Sequence, residues 1–341
     1  MDERKKHRIQ TKNRTELQNV IPLNTPFVVY MDPSSACNFW CKFCPTGERD
    51  EIGKTTRWTG TMGLDIYKKA VDDLAEFNTA IKTLKLYKDG EPLLNKDFAE
   101  MVVYAKASGF ANCIETTTNG SLLMPKLTDK IIAAGLDRVN ISVYGMSDDD
   151  FLQFSRTKVN YDKFLQNIRY FYENRGNCIV HIKTTVGISN RDTLDEFYQK
   201  FGSYCDSIDV ENISPFWPGY DFQKKYNLQV NKKSGTFGQT LEKKLVCPYV
   251  FYALAVNSDG RVDLCSCDWT HDYIIGDVRK QSLKEIWSSK ELYHEQILQL
   301  QGLRMDHPLC RDCHEISYES IDNIDKYREE LLGRLKNHAP Q

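Results

Sequence analysis

Residues 37–44 read Cys-Asn-Phe-Trp-Cys-Lys-Phe-Cys, and this octapeptide carries the strongest structural signal in the 341-residue sequence. Thiolates are the usual ligands of iron–sulfur clusters, and a four-iron cluster ordinarily needs four of them. Only three cysteines are close together in this octapeptide, and the next one, Cys113, lies in a predicted strand. Cys37, Cys41 and Cys44 therefore predict a cluster with one iron left open for another ligand. An open position likewise distinguishes catalytic from structural zinc.

A zinc site is the main alternative for these cysteines. Structural zinc usually takes paired C-x-x-C spacing, and the three-residue gap before Cys41 is not typical of it. The chain has eleven cysteines in uneven clusters. An odd, clustered set argues against a disulfide framework and favours metal ligands in a reducing compartment.

Outward from the octapeptide, strand-like and helix-like segments alternate from residue 27 to about residue 215. Such alternation predicts parallel strands joined by right-handed crossovers. Because it stops near residue 215, a six-unit open barrel fits better than a closed eight-unit one. The predicted strands are 27–30, 83–87, 112–117, 138–144, 179–185 and 207–212, and the predicted helices are 64–77, 97–108, 127–134, 161–172 and 193–201.

Two of the predicted strands have one polar face. In the fourth strand Asn140, Ser142 and Tyr144 alternate with apolar residues, and in the fifth His181 and Lys183 do so. Both faces of a parallel sheet are normally buried and apolar. The polar face therefore suggests a barrel interior that holds a ligand, with a half-solvated strand as the alternative.

Composition and charge limit the classes of function. A net charge of -2 gives no reason to expect nucleic acid as a partner. No apolar stretch is long enough for a membrane span, and the N-terminus lacks the pattern of a secretory signal, so we expect a cytoplasmic location. The basic run from Arg4 to Arg14 is interpreted as a solvated arm.

The spacing of Cys37, Cys41 and Cys44, with the aromatic Phe43 before the last cysteine, resembles the signature of the radical S-adenosylmethionine (SAM) superfamily. The resemblance covers about residues 27–215. It implies an α/β fold with a partial (β/α)6 barrel, SAM as cofactor and a SAM-binding 4Fe-4S cluster.

The same resemblance implies further cofactor contacts. A Gly-Glu-Pro turn after the second predicted strand is similar to the turn that binds the amino group of the cofactor's methionine part in this family. Backbone carbonyls and a carboxylate suit a charged amino group. A guanidinium suits the cofactor's carboxylate. The implied cofactor-binding residues are Phe43, Gly90, Glu91, Pro92, Asn119, Ser142 and Arg156.

A second group of cysteines lies near the C-terminus. A turn signal at 257–260 predicts a hairpin that brings Cys247 close to Cys265. Cys310 and Cys313 complete four thiolates, and a fully ligated cluster suits electron transfer. The pattern resembles the SPASM extension or its shortened form, twitch, and because no cysteine follows Cys313 we expect one auxiliary 4Fe-4S cluster.

Cys267 is surplus to these four ligands. Three interpretations are open: a ligand in place of Cys265, a free buried thiol, or a catalytic hydrogen-atom donor to a product radical. The isolated Cys113, Cys178 and Cys205 are interpreted as small buried apolar residues.

These observations divide the chain into five expected segments. They are a basic arm at 1–26, the barrel at 27–215, a linker or lid at 216–246, the auxiliary-cluster domain at 247–314, and an amphipathic helix with a polar tail at 315–341.

The resemblance implies reductive cleavage of SAM to a 5'-deoxyadenosyl radical, which abstracts hydrogen from a substrate C–H bond. We expect an oxidoreductase that dehydrogenates a carbohydrate-like or cyclitol molecule, with the auxiliary cluster accepting an electron. Alternatives are a peptide- or sulfatase-modifying maturase and a radical epimerase with Cys267 as hydrogen donor. A reductant such as flavodoxin or ferredoxin is implied, and Tyr144, His181, Lys183 and Trp217 are candidate substrate contacts.

Overall fold

A computed structural model describes residues 4–7, 14–186 and 191–340. Within them nine strands form one sheet in the order β6-β5-β4-β3-β2-β1-β7-β8-β9. The first six are parallel, one for each predicted unit. The strands are β1 Val28–Met31, β2 Thr83–Lys85, β3 Ile114–Thr118, β4 Arg138–Ser142, β5 Ile179–Val186, β6 Ser207–Asn212, β7 Ala253–Val256, β8 Arg261–Asp263 and β9 Ile274–Asp277.

Helices cover the outer face of the six parallel strands, where alternate strand residues such as Val139 and Ile141 are buried. All five predicted helices are present, with ends that differ by a few residues. None of the described helices is both long and apolar enough to cross a bilayer. The helices are α1 Arg49–Ile52, α2 Leu64–Asp72, α3 Phe98–Ser108, α4 Pro125–Ala134, α5 Asp148–Ser155, α6 Tyr161–Asn174, α7 Arg191–Phe201, α8 Phe222–Tyr226, α9 Leu283–Trp287, α10 Lys290–Leu300, α11 Pro308–Arg311, α12 Glu315–Tyr318 and α13 Arg328–Lys336.

Helix α5 was not predicted from the sequence. It has eight residues and buries only two large apolar side chains, Phe151 and Phe154. The Ser147 side chain accepts a hydrogen bond from the backbone N–H of Asp150 and caps its first turn. Two apolar positions are too few for a recognisable helical period, although the cap and the three aspartates of the first turn are a helix-start signal.

The C-terminal cysteine region continues the barrel sheet. Strand β7 lies parallel to β1, with Val28 opposite Ala253, and β8 and β9 follow in antiparallel order. The turn at 257–260 joins β7 to β8, which confirms the predicted hairpin. The pairing of β7 with β1 joins segments more than 200 residues apart, and no local pattern predicts such a contact.

The described residues at the beginning of the chain have exposed side chains at Lys5, Lys6 and His7, but their backbone is bonded to the barrel sheet, which the solvated-arm interpretation did not include. Lys5 forms a parallel bridge with Ile208 of β6. The backbone N–H of Ile208 donates to the carbonyl of Arg4 at 2.8 Å. Edge strands expose unpaired backbone groups, and this segment covers part of the β6 edge.

The expectation of one closing helix after residue 314 is wrong. Two short helices, α12 and α13, are separated by an irregular segment. The Ser320 hydroxyl donates to the carbonyl of Asp322, and the Asn323 side chain accepts from the N–H of Asp325. Such local side-chain bonds compete with helical backbone bonds and interrupt the helix.

Candidate active site

A cavity of about 260 Å³ lies at the carboxyl ends of the six parallel strands. This edge is where parallel α/β folds place their functional loops. The sequence-predicted cluster, cofactor and catalytic residues that line the cavity are Cys37, Cys41, Phe43, Cys44, Gly90, Glu91, Asn119, Ser142 and Cys267. Of the predicted substrate contacts, Tyr144, Lys183 and Trp217 line it, whereas His181 is hydrogen-bonded to Ser207 outside it.

The loop that carries the first three cysteines follows β1 and is fastened by Arg156. The guanidinium donates to the carbonyls of Trp40 at 2.6 Å and Gly47 at 2.7 Å, and it pairs with Glu48 at 2.6 Å. Arg156 ends α5 in a left-handed conformation, with φ 53°. Its guanidinium holds the cysteine loop and does not line the cavity, so the expected contact with the cofactor carboxylate stays a prediction.

The Gly-Glu-Pro turn packs against the start of the cysteine loop. The backbone N–H of Glu91 donates to the carbonyl of Ala36 at 2.9 Å. A Cβ atom on Gly90 would lie 2.2 Å from that same oxygen and 2.3 Å from the carbonyl oxygen of Ser34. Glycine is required at this position because the two backbone segments touch. Pro92 begins a short 3-10 helix behind the turn and is not part of the cavity wall.

Glu91 ties this turn to the end of β3. Its carboxylate accepts hydrogen bonds from the Thr118 hydroxyl at 2.6 Å and from the Asn119 N–H at 2.8 Å. Burial raises the pKa of Glu91 to about 7. The Asn119 side chain donates in turn to Asn38, between the first two cysteines, at 2.8 Å. The loops after β1, β2 and β3 therefore form one hydrogen-bonded wall.

The first three thiols suit a cluster whose iron–sulfur core is positively charged. Burial, with a contribution from the Glu91 carboxylate, raises the pKa of Cys37 to about 12. Burial raises the pKa of Cys41 and Cys44 as well. Three thiolates at one cavity wall would need positive charge beside them, which the irons of a cluster provide.

Within the described residues, no three His, Cys, Asp or Glu side chains are close enough together to surround a single metal ion. In a four-iron cluster each thiolate binds a different iron, so its ligands stand further apart. Cys37, Cys41 and Cys44, which line one cavity, are the residues that would hold such a cluster.

The second group brings together cysteines from three separate segments. Cys247 interacts electrostatically with Cys265, as the predicted hairpin requires, and also with Cys310 and Cys313. The buried Gln299 links two of them. Its side-chain oxygen accepts from the N–H of Cys247 at 3.0 Å, and its amide donates to the sulfur of Cys310 at 3.6 Å. These four residues would hold the auxiliary cluster.

Cys267 lies between this second group and the cavity. Its sulfur is hydrogen-bonded to Cys265 and Cys313, and it also lines the cavity. The hydrogen bond from Cys267 lowers the pKa of Cys313 to about 7. Cys267 therefore belongs electrostatically with the second group. Its role as ligand, buried thiol or hydrogen donor stays a prediction.

Sequence reasoning missed a buried charge network between the two cysteine groups. Lys88 lies 2.9 Å from the carboxylates of both Asp89 and Asp263, and the three side chains are fully buried. Burial alone would lower the pKa of Lys88, but the two carboxylates raise it above its ordinary value. His271 completes the network at 2.8 Å from Asp89.

This network joins the Gly-Glu-Pro turn to β8. Lys88 and Asp89 directly precede Gly90, and both line the cavity. A Lys-Asp pair is the only local signal, because the partners Asp263 and His271 lie more than 170 residues further along the chain.

The polar faces of β4 and β5 point into the barrel, as the sequence predicts. Ser142, Tyr144 and Lys183 line the cavity. Lys183 forms a 2.6 Å ion pair with Glu211 of β6, which also lines it. The part of the cavity wall formed by β4, β5 and β6 is therefore hydrophilic and charged.

Comparisons with known proteins agree with this geometry. Residues 31–201 match the Radical SAM superfamily, and residues 247–314 match SPASM, an iron-sulfur cluster-binding domain. The AdoMet-dependent heme synthase of Methanosarcina barkeri is 22% identical over 314 residues, covering 80% of this chain and 85% of its own.

Two crystal structures show the same fold at low identity. BtrN in complex with AdoMet and 2-DOIA has a TM-score of 0.56 and 16% identity, covering 88% of this chain and 97% of that one. Native anSMEcpe with bound AdoMet and Cp18Cys peptide has a TM-score of 0.56 and 15% identity, covering 91% and 97%. The cofactors are accordingly SAM and 4Fe-4S clusters, and this chain belongs to the radical SAM superfamily, with a SPASM domain at its C-terminal end.

Proposed function

We propose that this protein is an oxidoreductase that dehydrogenates a carbohydrate-like or cyclitol molecule at a carbon carrying a hydroxyl group. When bound, the first cluster and SAM supply a 5'-deoxyadenosyl radical that removes one hydrogen atom, and the auxiliary cluster takes the electron that completes the oxidation. A flavodoxin or ferredoxin would supply the reducing electron. The protein's own residues bind and orient the substrate, exclude water and accept the hydroxyl proton.

The observation that carries this proposal is the polar cavity wall. Lys183 and Glu211 form an ion pair on it, with the Thr185 hydroxyl and the Asn212 amide beside them. Closely spaced donors and acceptors suit a molecule with several hydroxyl or amino groups. Glu211 is our candidate for the group that accepts the proton released on oxidation.

The position of the second cysteine group supports oxidation. Cys267, hydrogen-bonded to Cys265 and Cys313, lines the same cavity as Lys183. A cluster held by this group would lie beside the bound substrate. The BtrN structure, a complex with AdoMet and 2-DOIA, has nearly its full length covered by this chain. This likeness favours a small-molecule substrate.

Two other functions have an observation in their favour. A peptide-modifying maturase is supported by the anSMEcpe structure, which has AdoMet and the Cp18Cys peptide bound. A radical epimerase is supported by Cys267, because a thiol on the cavity wall could return a hydrogen atom to a substrate radical. In an epimerase the substrate keeps its oxidation state.

The test uses the reconstituted protein with SAM, a reductant and a panel of cyclitols and aminosugars in deuterated water. Oxidation predicts a product lighter than its substrate by two hydrogens, with about one 5'-deoxyadenosine formed for each product molecule. Product of unchanged oxidation state that carries one solvent deuterium would instead indicate an epimerase.

One variant, with a matched control, separates these outcomes. In a dehydrogenating enzyme, Cys267→Ala still forms 5'-deoxyadenosine and oxidised product. In an epimerase, Cys267→Ala loses the deuterium-labelled product, because the hydrogen donor is gone. Cys113→Ala serves as the control, since Cys113 lies in neither cysteine group. Turnover of a peptide panel with no turnover of cyclitols or aminosugars would contradict the proposal.

A further inference from the structure

A second and larger cavity, of about 420 Å³, lies at the amino ends of the barrel strands. Val28, Thr83 and Arg138, the first residues of β1, β2 and β4, line it. Tyr30 and Glu315 line both this lower cavity and the cavity at the cysteines. The two cavities are therefore neighbours within the barrel, and one extended molecule could reach from one to the other.

The carboxylates that line the lower cavity all have partners. Glu115 lies 3.6 Å from the Lys85 ammonium and accepts a 3.3 Å hydrogen bond from Tyr87. Asp322 is paired with Arg14. Glu315 is hydrogen-bonded to Tyr249, and Glu319 accepts from the Thr236 hydroxyl at 3.2 Å. The described carboxylates of this cavity therefore give no reason to expect a bound cation.

Two cationic side chains that line the lower cavity, Lys82 and Arg138, have no carboxylate partner among the described residues. Lys82 contacts the hydroxyl of Thr15 and lies 3.6 Å from the centre of the Phe27 ring. Lys82 is exposed, and partial desolvation together with the nearby positive charge of Arg14 lowers its pKa. Arg138 has no hydrogen-bond or ion-pair partner in the described part of the chain, and its Nε is buried.

Asn140 adds an unsatisfied acceptor to the same strand. Its amide nitrogen donates to the carbonyl of Thr116 at 3.2 Å, but its side-chain oxygen is buried without a partner among the described residues. Asn140 is two residues after Arg138 in β4, so both side chains lie on the inner face, and both line the lower cavity. Buried polar atoms without partners are costly, and a ligand that supplies the missing groups would remove the cost.

We propose that the lower cavity binds a phosphate-type anion between Arg138 and Lys82, and that a neighbouring hydroxyl of the same ligand donates to Asn140. A guanidinium binds oxyanions in a fork, and a phosphate ester carries close to two negative charges, which matches two unpaired cations. This site rests on the proposed function. It assigns the substrate to the phosphorylated sugars or cyclitols, with the phosphate of the substrate in the lower cavity and its reacting carbon in the cavity at the cysteines.

The test is calorimetric titration of the cluster-loaded protein with inorganic pyrophosphate at low ionic strength. We expect Arg138→Met to weaken binding about tenfold, because a charge-assisted contact contributes a difference of that size. Lys130→Met removes one positive charge from the exposed face of α4 and should leave the affinity within about twofold, because surface charges contribute little.

Wild-type protein that does not bind pyrophosphate, or equal affinity in Arg138→Met and wild type, would overturn this inference. If Arg138→Met does not fold, Lys82→Met decides the question by the same criterion. The titration involves no radical chemistry. Anion binding without any product formation would count against the proposed function alone, whereas oxidation of a neutral cyclitol without anion binding would count against the phosphate site alone.

Discussion

The two cysteine groups of this protein differ in how many sulfurs they gather and in what the sulfurs face. The first group has three thiols on one loop, all facing the cavity with Glu91 and Asn119. The second gathers five from three segments, and of these only Cys267 faces the cavity. A group with three thiolates leaves a metal position for an exchangeable ligand, whereas a group with four or more does not.

The two groups are also held in different ways. Charged side chains fasten the first loop through its backbone carbonyls: Arg156 reaches Trp40 and Gly47, and Arg57 reaches Ser35. In the second group Gln299 contacts the cysteines directly. Hydrogen bonds also reach the sulfurs of the first group, such as that from the Phe39 N–H to Cys37 at 3.4 Å, and all three cysteines line the cavity. In the second group Gln299 joins Cys247 to Cys310, and neither of these lines the cavity. We expect the first group to hold the reactive cluster and the second group to hold an electron-transfer cluster.

We expect the largest effect from removing the three thiols of the first group. The triple variant Cys37→Ala, Cys41→Ala, Cys44→Ala should form no 5'-deoxyadenosine from SAM, because no thiolate remains to hold the first cluster. It should still bind about four irons per chain in the second group. Iron analysis and chromatography of the nucleoside products measure both effects. Formation of 5'-deoxyadenosine by the triple variant would contradict the assignment of these residues.

The second test concerns the choice of ligand in the second group. Cys265→Ala should reduce the iron content from about eight to about four per chain, whereas Cys267→Ala should keep about eight. The expectation follows from the hairpin, which brings Cys265 to Cys247, whereas Cys267 also faces the cavity. The opposite result, with iron lost only in Cys267→Ala, would make Cys267 the ligand and would remove it as a hydrogen donor.

The sequence predicted the first region better than the second, because its signals are local. Cys37, Cys41 and Cys44 lie in one loop, and the polar alternation of Asn140 and Ser142 lies within one strand. Strand β7 pairs with β1 across more than 200 residues, so its position depends on the completed fold. The same holds for the five-cysteine group, whose hairpin was predictable while its contact with the cavity was not.

Arg156 has a structural role that sequence reasoning did not indicate. Its identity and neighbours indicated a residue at the site, but the left-handed backbone that ends α5 directs the guanidinium to the cysteine loop. Lys88 is a residue of the cavity wall that sequence reasoning missed. Nothing in its immediate sequence indicated a fully buried ammonium, because burial and both distant partners come from tertiary structure.

We expect the smallest effect on the clusters from a substitution of Lys88, in the buried charge network that joins the two cysteine regions. The same substitution should destabilise the fold. Lys88→Met keeps every cysteine but leaves Asp89 and Asp263 as buried carboxylates without their ammonium. Removing one partner of a buried ion pair costs about 3–5 kcal/mol. We expect a loss of that size in the free energy of unfolding by urea, measured on the cluster-loaded protein, with the iron content of the folded protein unchanged.

A matched substitution tests whether burial, rather than the ion pair itself, causes this loss. Lys68 lies 2.9 Å from Glu100, the same distance that separates Lys88 from Asp89, but the side chains of this pair are 36% and 54% exposed. Exposed pairs contribute little because water screens them and solvates the remaining partner, so Lys68→Met should cost less than about 1 kcal/mol. Equal losses in the two variants would mean that the junction between the cysteine regions is not held by buried charge. A larger loss in Lys88→Met, without loss of iron, would show that the two regions are joined through the Gly-Glu-Pro turn and β8 independently of their clusters.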